Sequence, residues 1–121
     1  DGKCNRISGV SLQTEGHSLG CSRVEVLDTE TNKWSTLPSM KTARRSMGIT
    51  VINDCFIWIF GGFNGRTLDS IEIFDVEKNE WSTSSIKLTF PMSGMKAITA
   101  DHKIFIIGKR KSSQPKLKLH K

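Results

Sequence analysis

The chain is 121 residues long and carries 18 Lys and Arg against 12 Asp and Glu, with no Tyr. Its net charge of +6 sits entirely at the C-terminal end, because residues 1–108 hold 12 basic and 12 acidic side chains while residues 109–121 hold 6 basic and none acidic. No apolar run approaches the roughly 20 residues that a membrane-spanning helix needs, and the N-terminus shows no signal-peptide pattern.

The strongest pattern is internal. Shifted by 47 residues, Val24–Thr36 (VEVLDTETNKWST) falls on Ile71–Thr83 (IEIFDVEKNEWST) without a gap, and 13 positions of residues 24–64 are repeated identically at 71–111. A period of about 40–50 residues made of short strands is that of propeller blades. In chain order, Asp1–Lys3 reads as a turn, and the run behind it ends at Ser8-Gly9. Val24 and Val26 flank Glu25 at the two-residue period of a strand, followed by the turn Asp28–Asn32 and by Trp34. After KTARRSMG (Lys41–Gly48), the middle unit spells out strands in ITVI and IWIFGG, with Asn53-Asp54 as the turn between them. Asn64–Asp69 reads as the next turn, SIEIFD as the third strand, and a weaker strand is expected after Trp81. The apolar runs Cys55–Gly62 and Lys103–Gly108 fit strands covered on both faces.

A strand ending in Gly-Gly, then x-Glu-x-apolar-Asp, a turn and a Trp resembles the kelch repeat. The middle unit shows Arg44, Gly48, Asp54, Gly61, Gly62, Glu72, Phe74, Asp75 and Trp81 in that order. The resemblance covers about nine tenths of the chain and implies an all-β fold: a little over two four-stranded antiparallel blades of a kelch β-propeller, the ring not closed. The expected units are a partial blade at 1–43, a complete blade at 44–90, a partial blade at 91–108, and a basic, disordered tail at 109–121. Three strands are expected in the first unit, four in the second and two in the third. The flanking units depart from the pattern, with Ser8-Gly9 and Gly108-Lys109 where the middle unit has Gly61-Gly62. Phe56, Leu27 and Phe74 stand where kelch repeats often have Tyr.

Physical roles follow for the motif residues. A glycine pair at a strand end permits positive φ and close backbone approach, so Ser8 and Lys109 are expected to be locally costly. Trp34 and Trp81 are expected to cover a neighbouring blade with the indole N–H paired. Glu25 and Glu72 recur at one strand position, and catalytic groups seldom repeat with a scaffold, so they read as structural. In kelch blades such a Glu can pair with an Arg of a neighbouring turn, which makes Arg44 the candidate partner.

Function is expected in the loops. The resemblance implies that the loop before the first strand of a blade opens on a peptide-binding face, and the loop after Gly62 emerges on the same side. Arg45, Ser46, Asn64 and Arg66 are therefore the candidate partner contacts, a basic rim with polar donors suited to an acidic or phosphorylated segment. The similarity to BTB-kelch adaptors implies a protein partner and, through domains absent from these residues, a cullin ubiquitin ligase. An actin-binding kelch protein or a non-functional truncated remnant are the alternatives. A copper oxidase on a kelch scaffold would need Tyr ligands that the chain lacks, so no enzyme, cofactor or metal is expected. Lys109–Lys111 could touch nucleic acid, but the bland reading of a solvated tail is preferred. The tail also reads as an interruption of the repeat by an alternative ending or frameshift, which sequencing of the transcript through the Gly108 codon would test. Cys4, Cys21 and Cys55 form no zinc pattern, and their odd count, with one in an apolar strand, points to reduced thiols and a cytoplasmic location. An incomplete array is also expected to leave apolar strands such as Lys103–Gly108 without outer partners.

Overall fold

The computed structural model describes residues 22–28 and 31–108, together with the backbone of Gly9–Leu12, Lys109 and Pro115–Leu117. Its strands are β1 (Gly9–Leu12), β2 (Val24–Asp28), β3 (Lys33–Leu37), β4 (Gly48–Ile52), β5 (Phe56–Phe63), β6 (Thr67–Asp75), β7 (Glu80–Thr83), β8 (Lys96–Ala100), β9 (Lys103–Lys109) and β10 (Pro115–Leu117). They form three antiparallel sheets ordered β1-β2-β3, β4-β5-β6-β7 and β8-β9-β10, one after another along the chain. The fourth strand of the middle sheet contains Trp81, where the sequence suggested a strand after it.

Burial on both faces of the middle sheet explains its apolar composition. Its first face carries Ile57, Ile59, Phe74 and Trp81, which join Val24 and Met40 in one core, with Val26 and Leu37 of the first sheet packed against it. The second face carries Phe60 and Ile71, which join Ile106 of the third sheet and Leu88, Met92 and Met95 of the linker 84–95. Each such side chain, buried, contributes about 1.5–3 kcal/mol of hydrophobic stabilisation. Phe74 and Trp81 lie opposite each other with ring centroids 5.1 Å apart. The Trp81 indole N–H donates to the Pro38 carbonyl at 2.7 Å, tying the middle sheet to the linker before it.

Trp34 departs from expectation. It occupies the position of Trp81 one repeat earlier, yet it is 55% exposed. Trp81 is covered by the sheet and linker that precede it, its indole N–H held by the Pro38 carbonyl, and no such cover is present over Trp34 among the described residues.

The gapless 47-residue correspondence also fails at β8. Strands β4 and β5 are joined through Asn53, Asp54 and Cys55, and Val51 lies opposite Ile57. Strands β8 and β9 are joined through Asp101 and His102 alone, and Ile98 lies opposite Phe105 instead of Ile104. Both residues of that short turn have positive φ, 52° and 60°, as a two-residue hairpin of the primed type requires. One residue fewer in the turn flips every β8 side chain to the other face. Thr99 thereby turns inward, its hydroxyl 2.7 Å from that of Thr50 in the middle sheet, while Ile98 turns outward and is 50% exposed.

The C-terminal segment likewise differs from a wholly disordered tail. Pro115–Leu117 form β10 on the edge of β9, with Pro115 opposite Lys109 and Leu117 opposite Ile107. Displaced by 47 residues, the first pair is Gly62 opposite Leu68, so β10 takes the place that the start of β6 has in the middle sheet. An open strand edge offers unpaired N–H and C=O groups, and even a Lys-rich segment can satisfy them. The middle sheet has a bulge between Phe60 and Gly62, whereas β9 and β10 pair in unbroken register through Gly108 and Lys109. Lys109 pairs directly with Pro115 in that regular register, without the bulge that Gly61 and Gly62 make in the middle sheet. Ser8 and the turn at Asp1–Lys3 lie outside the described residues. Gly9 opens β1 opposite Leu27 and does not end a strand.

Cys55 sits in the turn before β5 and is disulfide-bonded, contrary to the reduced thiols expected. The cysteine argument for a reducing compartment therefore falls away. Cys4 and Cys21 lie outside the described residues.

Candidate functional site

The linker that carries the candidate contacts is anchored by a buried charge pair. Glu72 on β6 accepts hydrogen bonds from Lys41 N–H at 2.7 Å and Thr42 N–H at 3.0 Å. Arg44 approaches the same carboxylate, its Nη2 2.8 Å from Glu72 Oε2. It also donates through Nη1 to the carbonyls of Gly61 at 2.9 Å and Ser70 at 3.2 Å, and through Nη2 to Ser70 Oγ at 3.0 Å. Both side chains are fully buried, and the Arg44 Nε alone lacks a partner. Desolvation by burial lowers the Arg44 pKa, an effect opposed by the Glu72 charge and its hydrogen bond. With every Nη bond made inside the protein, this guanidinium holds the linker and is withdrawn from ligands.

Arg45 leaves the linker on the exposed side. Its backbone is fixed against Phe63 by two hydrogen bonds, Arg45 N–H to the Phe63 carbonyl at 3.0 Å and Phe63 N–H to the Arg45 carbonyl at 2.8 Å. The guanidinium lies 5.1 Å from the centre of the Phe63 ring, a cation–π distance. Gly62 permits this closeness: its φ is +105°, and a Cβ there would stand 2.7 Å from the Arg45 carbonyl oxygen. Ser46 has φ of +55°, and its carbonyl accepts from Gly94 N–H at 2.8 Å. The strained serine is thus pinned to the linker entering the third sheet.

The second loop continues from Phe63. Asn64 N–H donates to the Arg66 carbonyl at 3.1 Å, closing a tight turn around Gly65, whose φ is +108°. Strand β6 begins at Thr67, so the connection is shorter than the turn read over 64–69. Arg66 opens onto a cleft of about 310 Å³ lined also by Thr67, Leu68, Asp69, Lys87 and Pro91. Arg45 is thereby locked to the strand end that leads into Asn64, Ser46 is tied to the linker at Gly94, and Arg66 at the far end of that loop lines a cleft shared with Lys87.

Two contributors had no sequence signal that singled them out. Phe63 follows the glycine pair without belonging to the motif, and Lys87 lies in SSIKLTF, which matches no functional pattern. The bridge between Arg45 of the linker and Phe63 at the end of β5 could be read only from the pairing. Among the described residues no group of three or more His, Cys, Asp or Glu is placed to hold a metal ion, and no helix is long and apolar enough to cross a membrane.

The kelch motif model matches residues 15–41 and 43–85. The chain belongs to the kelch-repeat family. Kelch-like protein 15 of Danio rerio and that of Homo sapiens are each 41% identical over 64 residues, 51% of this chain and 10% of theirs. The Mus musculus protein is 39% identical over the same length. This kelch chain thus spans about a tenth of the length of the curated relatives it matches. The solved structure of YjhT is similar with a TM-score of 0.61, covering 71% of this chain and 28% of that one at 18% identity, which shows the fold alone. The kelch chain is accordingly all-β, part of a propeller, with the three sheets of the described residues not closed into a ring, and a protein-interaction module by family.

Proposed function

We propose that this chain supplies the partner-recognition face of a kelch adaptor, holding an acidic or phosphorylated peptide segment against Arg45, Ser46, Asn64 and Arg66. The observation that carries this reading is Arg45: two hydrogen bonds to Phe63 fix its main chain, and its exposed guanidinium lies 5.1 Å from the centre of the Phe63 ring. Pre-ordering lowers the entropy lost on binding, and a guanidinium suits carboxylate or phosphate through paired N–H donors. Arg66 and Lys87 line the adjoining cleft together with the carboxylate of Asp69, leaving one positive charge in excess there. Through domains outside these residues, the bound segment would be presented to a cullin ubiquitin ligase. Kelch-like interaction modules are typically not enzymes, and this reading assigns the chain no catalytic role or cofactor.

The test is binding of acidic and phosphoserine peptide arrays to the purified chain, followed by calorimetry on the best sequence. Arg45→Ala and Arg66→Ala should each weaken binding by about tenfold, corresponding to about 1.4 kcal/mol. Unchanged affinity in both variants would remove the basic rim from the site. Co-sedimentation with actin filaments, without peptide binding, would move the chain to the actin-binding branch of the family. Absence of any binding partner would favour a remnant.

A further inference from the structure

Of the chain's asparagines, Asn64 alone is followed by glycine. The fold places the pair in the loop between β5 and β6, with Asn64 half-buried, Gly65 exposed and the Gly65 φ at +108°. Among the described residues neither the Asn64 carboxamide nor the Gly65 N–H makes a hydrogen bond; the loop is closed instead by the Asn64 N–H on the Arg66 carbonyl. An exposed, unbonded amide N–H can lose its proton to hydroxide, and the positive charge of Arg66 on the next residue favours the anion that forms. With no Cβ on Gly65, that nitrogen is unshielded and its backbone reaches conformations closed to other residues. The other described asparagines lack this combination. Asn32, Asn53 and Asn79 sit at φ of 59°, 54° and 57° in turns between strands. Lys33 and Glu80, which follow Asn32 and Asn79, open β3 and β7 opposite Asp28 and Asp75, and each carries a Cβ beside the nitrogen. Asn53 precedes Asp54, whose carboxylate opposes an amide anion.

We propose that Asn64 is a site of self-modification, at which the Gly65 nitrogen displaces the Asn64 side-chain amide and the loop gains a carboxylate. The deprotonated Gly65 nitrogen forms a bond to Asn64 Cγ, the Cγ–Nδ2 bond breaks, and ammonia leaves with a proton taken from water. The cyclic imide then takes up water at either of its carbonyl carbons, giving Asp or isoaspartate. Water is the sole co-reactant, and nothing is oxidised or reduced. The consequence is electrostatic: Arg66 is the one charged residue of Phe63–Thr67, so the modified loop becomes neutral beside the Arg45 guanidinium. Isoaspartate also lengthens the main chain between the Phe63 bridge to Arg45 and the Arg66 carbonyl. Resting on the acidic-peptide reading above, this makes the loop face a slow timer, its affinity for an anionic segment falling with the age of the molecule.

The experiment is peptide mapping by mass spectrometry of the purified chain and of Asn64→Gln, each aged at mildly alkaline and at mildly acidic pH. The parent should exchange amide for acid at Asn64 well before Asn32, Asn53 or Asn79, faster at the alkaline pH, with both Asp and isoaspartate among the products. Gln at this position should keep its amide, because ring closure from the longer side chain is less favourable. Conversion at Asn64 no faster than at the other asparagines would overturn the proposal. So would a product containing Asp alone, which would mean direct hydrolysis without Gly65. Calorimetry with the acidic peptide separates this inference from the reading it rests on. Aged parent should bind about three- to fivefold more weakly than fresh parent, while aged Asn64→Gln should match its own fresh sample. Converted parent that binds like fresh parent would overturn the timer. Fresh parent that ignores the peptide would remove the recognition reading and leave the mass data to decide on Asn64.

Discussion

Arg44 and Glu72, 28 residues apart, form a fully buried ion pair with an Nη2 to Oε2 distance of 2.8 Å. The pair joins the linker between two sheets to the third strand of the following one, and it also fixes Lys41, Thr42 and the carbonyl of Gly61. Removing one partner leaves an uncompensated charge inside the protein. Arg44→Met is expected to cost about 3–5 kcal/mol. The companion change Glu72→Leu should add much less than its own separate cost, because the stranded carboxylate is gone. Urea denaturation of both single variants and the double variant measures this coupling.

Gly62 carries a prediction about the loop face. A methyl at this position would meet the Arg45 carbonyl at 2.7 Å with φ at +105°. Gly62→Ala should therefore destabilise the chain by about 1–3 kcal/mol. It should also raise hydrogen exchange at Arg45 and Phe63, whose amide bonds form the bridge. Exchange confined to the chain termini would show that the bridge tolerates the methyl.

The two tryptophans should respond differently although they stand at one repeat position. Trp81→Ala removes a buried indole and its bond to Pro38, with an expected loss of about 3–5 kcal/mol. Trp34→Ala should stay within about 0.5 kcal/mol. Equal losses in thermal or urea unfolding would mean that Trp34 is covered.

Thr50 and Thr99 share a hydroxyl contact of 2.7 Å between the second and third sheets. Thr50→Val alone should cost about 1–2 kcal/mol by leaving one hydroxyl without its partner. The Thr50→Val, Thr99→Val double variant should be less destabilised than the sum of the two single changes. Additive costs would mean that the two hydroxyls do not depend on each other, and would argue against the observed β8 register.

Much of the architecture was legible as local pattern. The recurrence of Glu72, Asp75 and Trp81 at the positions of Glu25, Asp28 and Trp34, with apolar alternation between turn residues, specifies strands, faces and the blade period because each depends on neighbours close in the chain. The pairing of Arg44 with Glu72 was suggested by family resemblance, and its geometry was not readable from the residues. At the loop face, the positions of Arg45 and Arg66 were legible as candidates, but the Phe63 platform and Lys87 were not, since neither belongs to a pattern.

Residue order alone sufficed for the repeat, the family and the all-β class, since side-chain alternation and turn chemistry act over a few residues. Tertiary pairing decided the rest. The register of β8 hangs on a single residue in the turn at Asp101-His102, which a gapless repeat comparison passes over. Whether a strand edge or a tryptophan is covered depends on what packs beside it. Trp34 and Trp81 share a motif, yet one lies exposed and the other buried, because burial belongs to the neighbouring sheet and not to the motif.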